Sequence, residues 1–485
     1  MTGSGMDYTP HTDADVTAML AVLDVASVDA LFDAQVPAEL CVDKLDLPDG
    51  MAEAEVLAHM KRLAARNSTV DDGVCWLGGG AYDHYVPAVV GAVVGRPEFA
   101  TAYTPYQPEM SQGNLQALFE FQTLASEVLG LPVANSSLYD GATAVVEAVT
   151  MCLHATGRSR VLVSGGVDPR VQAVLRTHAP GLGIDIVILP VGADGRTDVG
   201  MLASAPDGAA ALVIQHPNVF GVVEDVPRLA ESAHRAGAQL AVSFDLLLSG
   251  VLEPPGRLGA DIVTADGLSA GNSLAFGGPG CGLLACRTED VRRLPGRLVG
   301  RTLDADGRDA YVLTLQAREQ HIRRERATSN ICTNQALNAL AVAVYLSWLG
   351  PQGLVELGET CLAGAAYAAD RLAGAGAPPA FPRGPFGKEF AVRVDDPHAL
   401  AAGLAQHGHL VGPVVAAPGG DVLLVAVTEQ RTQAQIDDLA ATVRAVREEL
   451  SGQSPRNGGA AWAGRAPVAA ASHGGRLGAA GVGVS

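Results

Sequence analysis

From about residue 114 the chain alternates short apolar, β-branched runs with stretches of helical period, and this alternation limits its folds more than any other feature. The runs are VLVS at 161–164, IDIVIL at 184–189, ALVIQ at 211–215, LAVS at 240–243 and DIVT at 261–264. Strands separated by helices do not close hairpins, and strands that are apolar throughout are buried on both faces. The pattern therefore predicts an α/β fold with a mostly parallel sheet covered on both sides. Before it, 13–23 and 53–63 show helical period and read as an N-terminal helical arm. After it, a helical segment at 334–348 leads into a smaller α+β domain with strands at 390–394 and 422–427 and a closing amphipathic helix at 432–450. From Ser451 onward Gly, Ala, Ser and Pro dominate without period, which predicts disorder. The resulting division is 1–100 for the arm and a Gly/aromatic loop, 101–333 for the large domain, 334–450 for the small domain, and 451–485 for the tail.

A chain of 485 residues that is 48% hydrophobic has more than one core's worth of apolar material. A formal net charge of -19 argues against nucleic acid or anionic lipid as partners, since both select basic surfaces. The seven cysteines are odd in number and include no Cys-x-x-Cys pair, so neither a disulfide framework nor a metal site is expected; a reducing cytoplasm fits. The N-terminus has no basic region followed by an apolar stretch, and no uninterrupted apolar run reaches about 18 residues, so neither a signal peptide nor a membrane span is expected.

Four ordered motifs carry more specific information: Leu77-Gly-Gly-Gly-Ala-Tyr82-Asp-His-Tyr85, Ala102-Tyr103-Thr104-Pro105-Tyr106-Gln107-Pro108-Glu109-Met110-Ser111-Gln112-Gly113, Val133-Ala-Asn135-Ser-Ser-Leu-Tyr139-Asp-Gly141-Ala-Thr143, and His321-Ile-Arg-Arg-Glu-Arg326-Ala-Thr328-Ser-Asn330-Ile-Cys-Thr-Asn334. Together they resemble the glycine decarboxylase P-protein family of the glycine cleavage system, in its split form and of the subunit 1 type, from about residue 6 to about residue 450. The resemblance implies a pyridoxal phosphate (PLP)-dependent transferase fold, the aminotransferase fold type I. It implies an enzyme that decarboxylates glycine through PLP and passes the aminomethyl group to the lipoyl arm of an H-protein. It also implies a partner, subunit 2, in a heterotetramer of two pairs.

The resemblance raises a question of chemistry. PLP is held as a Schiff base by a lysine, and the only lysines here are Lys44, Lys61 and Lys388. None lies in the window after the acid-ended strand at 240–245, where the fold places that residue. All three read as solvated surface charges, the cofactor is expected on subunit 2, and no catalytic residue is assigned to this chain. A vestigial cofactor pocket would use Gly141, Ala142 and Thr143 as a phosphate cradle at a helix start. It would add His216, able to titrate near neutrality or to serve structurally, and Asp245 at the pyridine nitrogen's position, or as a strand-end cap. The loop 267–282 departs from the family pattern and is expected to be more mobile. Tyr82, Tyr103, Tyr106, Gln112, Arg323, Arg324 and Asn330 are the candidates for an interface and partner active-site wall. Two alternatives stay open: an autonomous PLP enzyme using Lys388, and a non-catalytic regulatory or scaffold subunit.

Overall fold

The computed structural model describes residues 10–42, 46–198, 200 and 208–452. The strands in chain order are β1 (Val74–Leu77), β2 (Val133–Ala134), β3 (Arg160–Ser164), β4 (Asp185–Leu189), β5 (Ala209–His216), β6 (Gln239–Phe244), β7 (Ile262–Asp266), β8 (Gly282–Cys286), β9 (Leu298–Leu303), β10 (Asp309–Thr314), β11 (Glu389–Val392), β12 (His409–Gly412), β13 (Val414–Val415) and β14 (Val422–Ala426). Seven of them form one sheet in the order β2-β8-β7-β6-β5-β3-β4. The apolar runs of the sequence are its five parallel strands, β3 to β7. Strand β8 runs antiparallel between β7 and β2 and reverses the sheet's edge.

Successive strand side chains point to opposite faces, so each run feeds two cores. Leu162, Leu212 and Ile214 pack with the helices Gln112–Leu129 and Val226–Arg235. Val161, Val163, Ala211 and Val213 pack with the helices Gly141–Thr156 and Pro169–Leu182 on the other face. The helix Gly141–Thr156 starts where Asp140 caps it, accepting from the Thr143 amide at 2.7 Å, and ends at Gly157 in the left-handed conformation.

The C-terminal layer is the antiparallel sheet β11-β14-β13 with the helices Pro397–Gln406 and Gln433–Gly452, whose apolar faces enclose Trp76, Phe390 and Leu423. The sequence-based boundaries shift at two places. The separate N-terminal unit ends at Ser68, not near 100, because β1 pairs in parallel with β12 and so belongs to the C-terminal layer. The small layer also does not begin at 334. The helix Ala336–Gly374 is broken at Gly350 (φ 62°, ψ −178°); its first part, with Val342 and Tyr345, serves the large core, and Ala365 to Leu372 serve the small one. By length and composition this helix is apolar enough to cross a membrane, but it is kinked and lends buried residues to both cores.

The N-terminal unit carries the helices Asp13–Leu23, Val28–Gln35 and Glu53–Ala64, the first two capped by Thr12 and Ser27. None of the residues in these helices is buried. The tail expected to be disordered lies outside the described residues from 453 onward, as does Lys44.

Candidate functional site

The carboxyl ends of β5, β6 and β7 open into a cavity of about 480 Å³, the place where parallel α/β sheets bind their ligands. The start of the helix Gly141–Thr156 closes one side, and Gly79 to Tyr82 with Lys388 and Glu389 close another.

Lys388 is the first correction to the sequence reading. It is 1% exposed, not solvated, and its ammonium lies 2.7 Å from Asp245 at the end of β6. The same nitrogen sits 4.0 Å above the Tyr82 ring and 2.9 Å from His84 Nε2. His84 Nδ1 is 2.7 Å from Glu429, whose other oxygen accepts from the Tyr85 amide. Burial, reinforced by the Lys388 charge, lowers the His84 pKa, so the imidazole is neutral; it accepts from Lys388 and donates to Glu429. Although burial works to raise the Glu429 pKa, the hydrogen bonds it accepts bring it below the ordinary value. His84, Glu429 and Cys361 cluster closely enough to hold a metal ion, but both imidazole nitrogens are already engaged and an ammonium stands beside them. The result is a chain, Asp245–Lys388–His84–Glu429, buried at Lys388 and His84 and part exposed at its two carboxylate ends, joining the large sheet, the Gly/aromatic loop and the C-terminal layer. A charge survives burial only when paired in this way.

Beside it, Glu389 accepts from the Gly79 amide at 2.6 Å and the Tyr82 hydroxyl at 2.9 Å, and burial pushes its pKa up to about 7. Tyr82 is thus a buried pocket residue, not the surface residue expected; desolvation and the neighbouring Glu389 hold its phenol far above the usual range. Arg170 reaches Asp168 and the Gly79 carbonyl across the same wall.

At the opposite side the amides of Gly141, Leu268 and Cys281 all donate to Asp266, at 2.8, 2.8 and 3.2 Å. A carboxylate of the chain itself therefore sits at the helix start that the sequence reading offered to a phosphate. Burial raises the Asp266 pKa despite these three amides, and the nearby Asp140 adds to the rise. Gly141 and Ala142 line the cavity, whereas Thr143 is turned to its cap with Asp140. His216 does not line it: Gln215 and Pro217 do. Its ring stacks on Phe244 with centroids 5.8 Å apart, and its Nδ1 accepts from the Glu224 amide. Burial, with the Arg196 charge, lowers its pKa to about 4, so it does not titrate near neutrality. Asp245 also caps the short turn that follows β6, accepting from Leu247. In the atypical loop, Gly277 to Gly280 line the cavity, and Phe276 is 84% exposed in a left-handed conformation.

The expected surface residues divide. Tyr103, Arg323, Arg324 and Asn330 are exposed. Tyr106 is half exposed, with its hydroxyl 3.2 Å from buried Arg297. Gln112 is not free: its amide group bonds to Pro108 and to both the carbonyl and amide of Tyr311, stitching its helix to β10. Sequence reasoning missed Arg170, Asp266, Glu389 and Glu429. Only the adjacent charges Lys388-Glu389, flanked by Phe386 and Phe390, carried a signal, since alternation along a buried strand must turn a charge inward.

A mostly parallel sheet with one antiparallel strand next to its edge, a capped helix facing an acid-ended strand, and a cavity between them define the type I fold of PLP-dependent enzymes. In keeping with this, the *Lactobacillus brevis* glutamate decarboxylase superposes with a TM-score of 0.65 over 86% of this chain and 97% of that one at 15% identity, which shows the fold alone. Residues 6–443 match the family described as glycine cleavage system P-protein, and the chain belongs to that family. It is 47% identical to the probable glycine dehydrogenase (decarboxylating) subunit 1 of *Carboxydothermus hydrogenoformans*, over 90% of this chain and 98% of that one. It also matches a crystal structure of glycine decarboxylase (P-protein) in inhibitor-bound form, with a TM-score of 0.83 and 44% identity over 91% of this chain and all of the other.

The family's cofactor does not fit the residues present in this cavity. The acid that would face a pyridinium holds Lys388, and of the helix-start amides that would face a phosphate, that of Gly141 holds Asp266 and that of Thr143 holds Asp140. Lys388 does not serve as the Schiff-base lysine either. The cofactor's aldehyde carbon is para to its ring nitrogen, so an amine already touching Asp245 stands at the wrong end of the ring. The reading of this chain as an autonomous enzyme through Lys388 falls with it.

Proposed function

We propose that this chain is the subunit 1 component of a two-subunit glycine decarboxylase of the glycine cleavage system, and that PLP resides on a homologous subunit 2. The observation that carries this reading is the Asp245–Lys388 pair, which fills with the chain's own charge the position a catalytic subunit needs for its cofactor. When bound in the partner, PLP supplies the electron sink for loss of carbon dioxide from glycine. This chain orients and encloses. The ring-bearing segment around Tyr103 and Tyr106 and the exposed Arg323, Arg324 and Asn330 are suited to a partner's active-site wall, where amphipathic rings bury area at little entropic cost and guanidinium groups pair with carboxylates. Such a wall excludes water from the decarboxylation and borders the path of a lipoylated H-protein.

The assembly proposed is a heterotetramer of two such pairs, in the cytoplasm, where free thiols such as the buried Cys75, Cys152, Cys281, Cys286 and Cys361 remain reduced. The test is glycine–carbon dioxide exchange measured with the chain alone, with subunit 2 alone, and with both co-expressed. Activity only in the combined sample is expected. Exchange by this chain alone would overturn the reading, and full exchange by subunit 2 alone would reduce this chain to a scaffold.

A further inference from the structure

The sequence accounts for the absence of a Schiff base by the missing lysine, but a missing lysine does not remove the rest of a cofactor site. Non-covalent contacts with the phosphate and the pyridine ring would remain. In this chain both poles of the site carry charges of its own. At one pole the Lys388 ammonium lies 2.7 Å from Asp245, sealed at 1% exposure under the Tyr82 ring. At the other, the Asp266 carboxylate accepts from three backbone amides. The fit there is close: a Cβ on Gly141 would come within 2.9 Å of the Asp266 Cβ, and one on Gly280 within 2.9 Å of its Oδ2 and 3.0 Å of the Asp140 Cβ.

A cation on the acid and an anion on the helix start reproduce the polarity of the cofactor, a pyridinium at one end and a phosphate at the other. We propose that Lys388 and Asp266 act as a built-in surrogate for PLP: they, rather than the missing lysine, are the residues that exclude the cofactor from this subunit and leave it to the partner. The inference deepens the functional reading above and rests on it. Exclusion has a physical cause at each pole. An entering pyridinium meets an ammonium already holding its acid, and an entering phosphate dianion meets Asp266 and Asp140 at an amide cluster already occupied.

The test titrates the purified chain with pyridoxine 5′-phosphate, which cannot form a Schiff base, and with PLP followed by borohydride reduction, using inorganic phosphate as control. The proteins are the native chain, Lys388→Met, Asp266→Asn and the double variant, each checked for folding by circular dichroism. The native chain is expected to bind neither ligand. The double variant is expected to bind both at least about tenfold more tightly than the native chain, with no adduct fixed by reduction. Each single variant is expected to gain part of that affinity, which keeps the inference testable if the double variant does not fold. Folded variants that bind no more tightly than the native chain would overturn the surrogate and leave the two-subunit reading intact. A native chain that binds pyridoxine 5′-phosphate as well as its variants do would overturn the inference, and a reduction-fixed PLP adduct on the native chain would overturn the placement of the cofactor as well.

Discussion

An ammonium buried 2.7 Å from a carboxylate at the cavity wall stabilises a fold only as one of a pair, so removing either partner exposes what the pair conceals. Lys388→Met leaves Asp245 without its partner at the cavity wall and is expected to cost about 1–3 kcal/mol in urea unfolding. Adding Asp245→Asn should return most of that loss, and a double variant no more stable than Lys388→Met would show that the pair is not the cause. Glu389 gives a test through pH. Its folded pKa of about 7 lies above the unfolded carboxyl value because burial disfavours its charge. The folded state therefore holds the proton more firmly, and the stability this contributes below about pH 4.5 is lost as pH rises toward 7. Relative to Glu389→Gln, the native chain should lose roughly 3 kcal/mol across that range, and parallel stability curves for the two proteins would refute it. His216 runs the other way: lowered to about 4, it favours the fold above its unfolded value and weakens it as pH falls through that interval. The sequence exposed Asp245 as a strand-end acid. It hid the partner of Asp245, because Lys388 lies 143 positions further along the chain and no local pattern links them.

The elements themselves were the most legible part of the chain. Runs of apolar, β-branched residues became β3 to β7; β3, β5, β6 and β7 are buried on both faces, which leaves few polar positions to blur the signal, whereas the edge strand β4 is legible although Asp185, Val187 and Ile188 are exposed. The strands that escaped sequence reading are β1, β2, β8, the pair β9–β10, β12 and β13; most are short, edge-lying or part polar, and the fully buried β8 is the exception, so their pairing is decided by contacts distant in sequence. Of the long helix Ala336–Gly374 only the first part, about 334–348, was legible as helix; its change of core was not, because it comes after the kink at Gly350, between Cys361 of the large core and Ala365 of the small one. Gly350 adopts a backbone conformation almost confined to glycine, and a Cβ there would meet nothing within 4 Å. Gly350→Ala should therefore cost about 1–3 kcal/mol through backbone strain alone. A thermal midpoint unchanged from the native protein would show that the kink tolerates a side chain.

For the whole molecule, the clearest prediction concerns assembly. Tyr103 is 77% exposed and makes no side-chain hydrogen bond among the described residues. Tyr103→Ala should leave the stability of the isolated chain within about 0.5 kcal/mol of native. If the ring anchors subunit 2, the same change should weaken association by about 2 kcal/mol, roughly thirtyfold in Kd. Equal affinities by sedimentation would move the interface elsewhere. One pairing also bears on how the chain is made. Among the described residues strand β1 pairs with β12 alone, and the Trp76–His409 hydrogen bond between them spans 333 positions. During synthesis at about 5–20 residues per second, the strand Val-Cys-Trp-Leu emerges and then waits on the order of tens of seconds for the residues that will cover it. The C-terminal layer thus cannot close until nearly all of it has left the ribosome, and a nascent chain stalled before residue 412 presents an unpaired apolar strand to the chaperones around it.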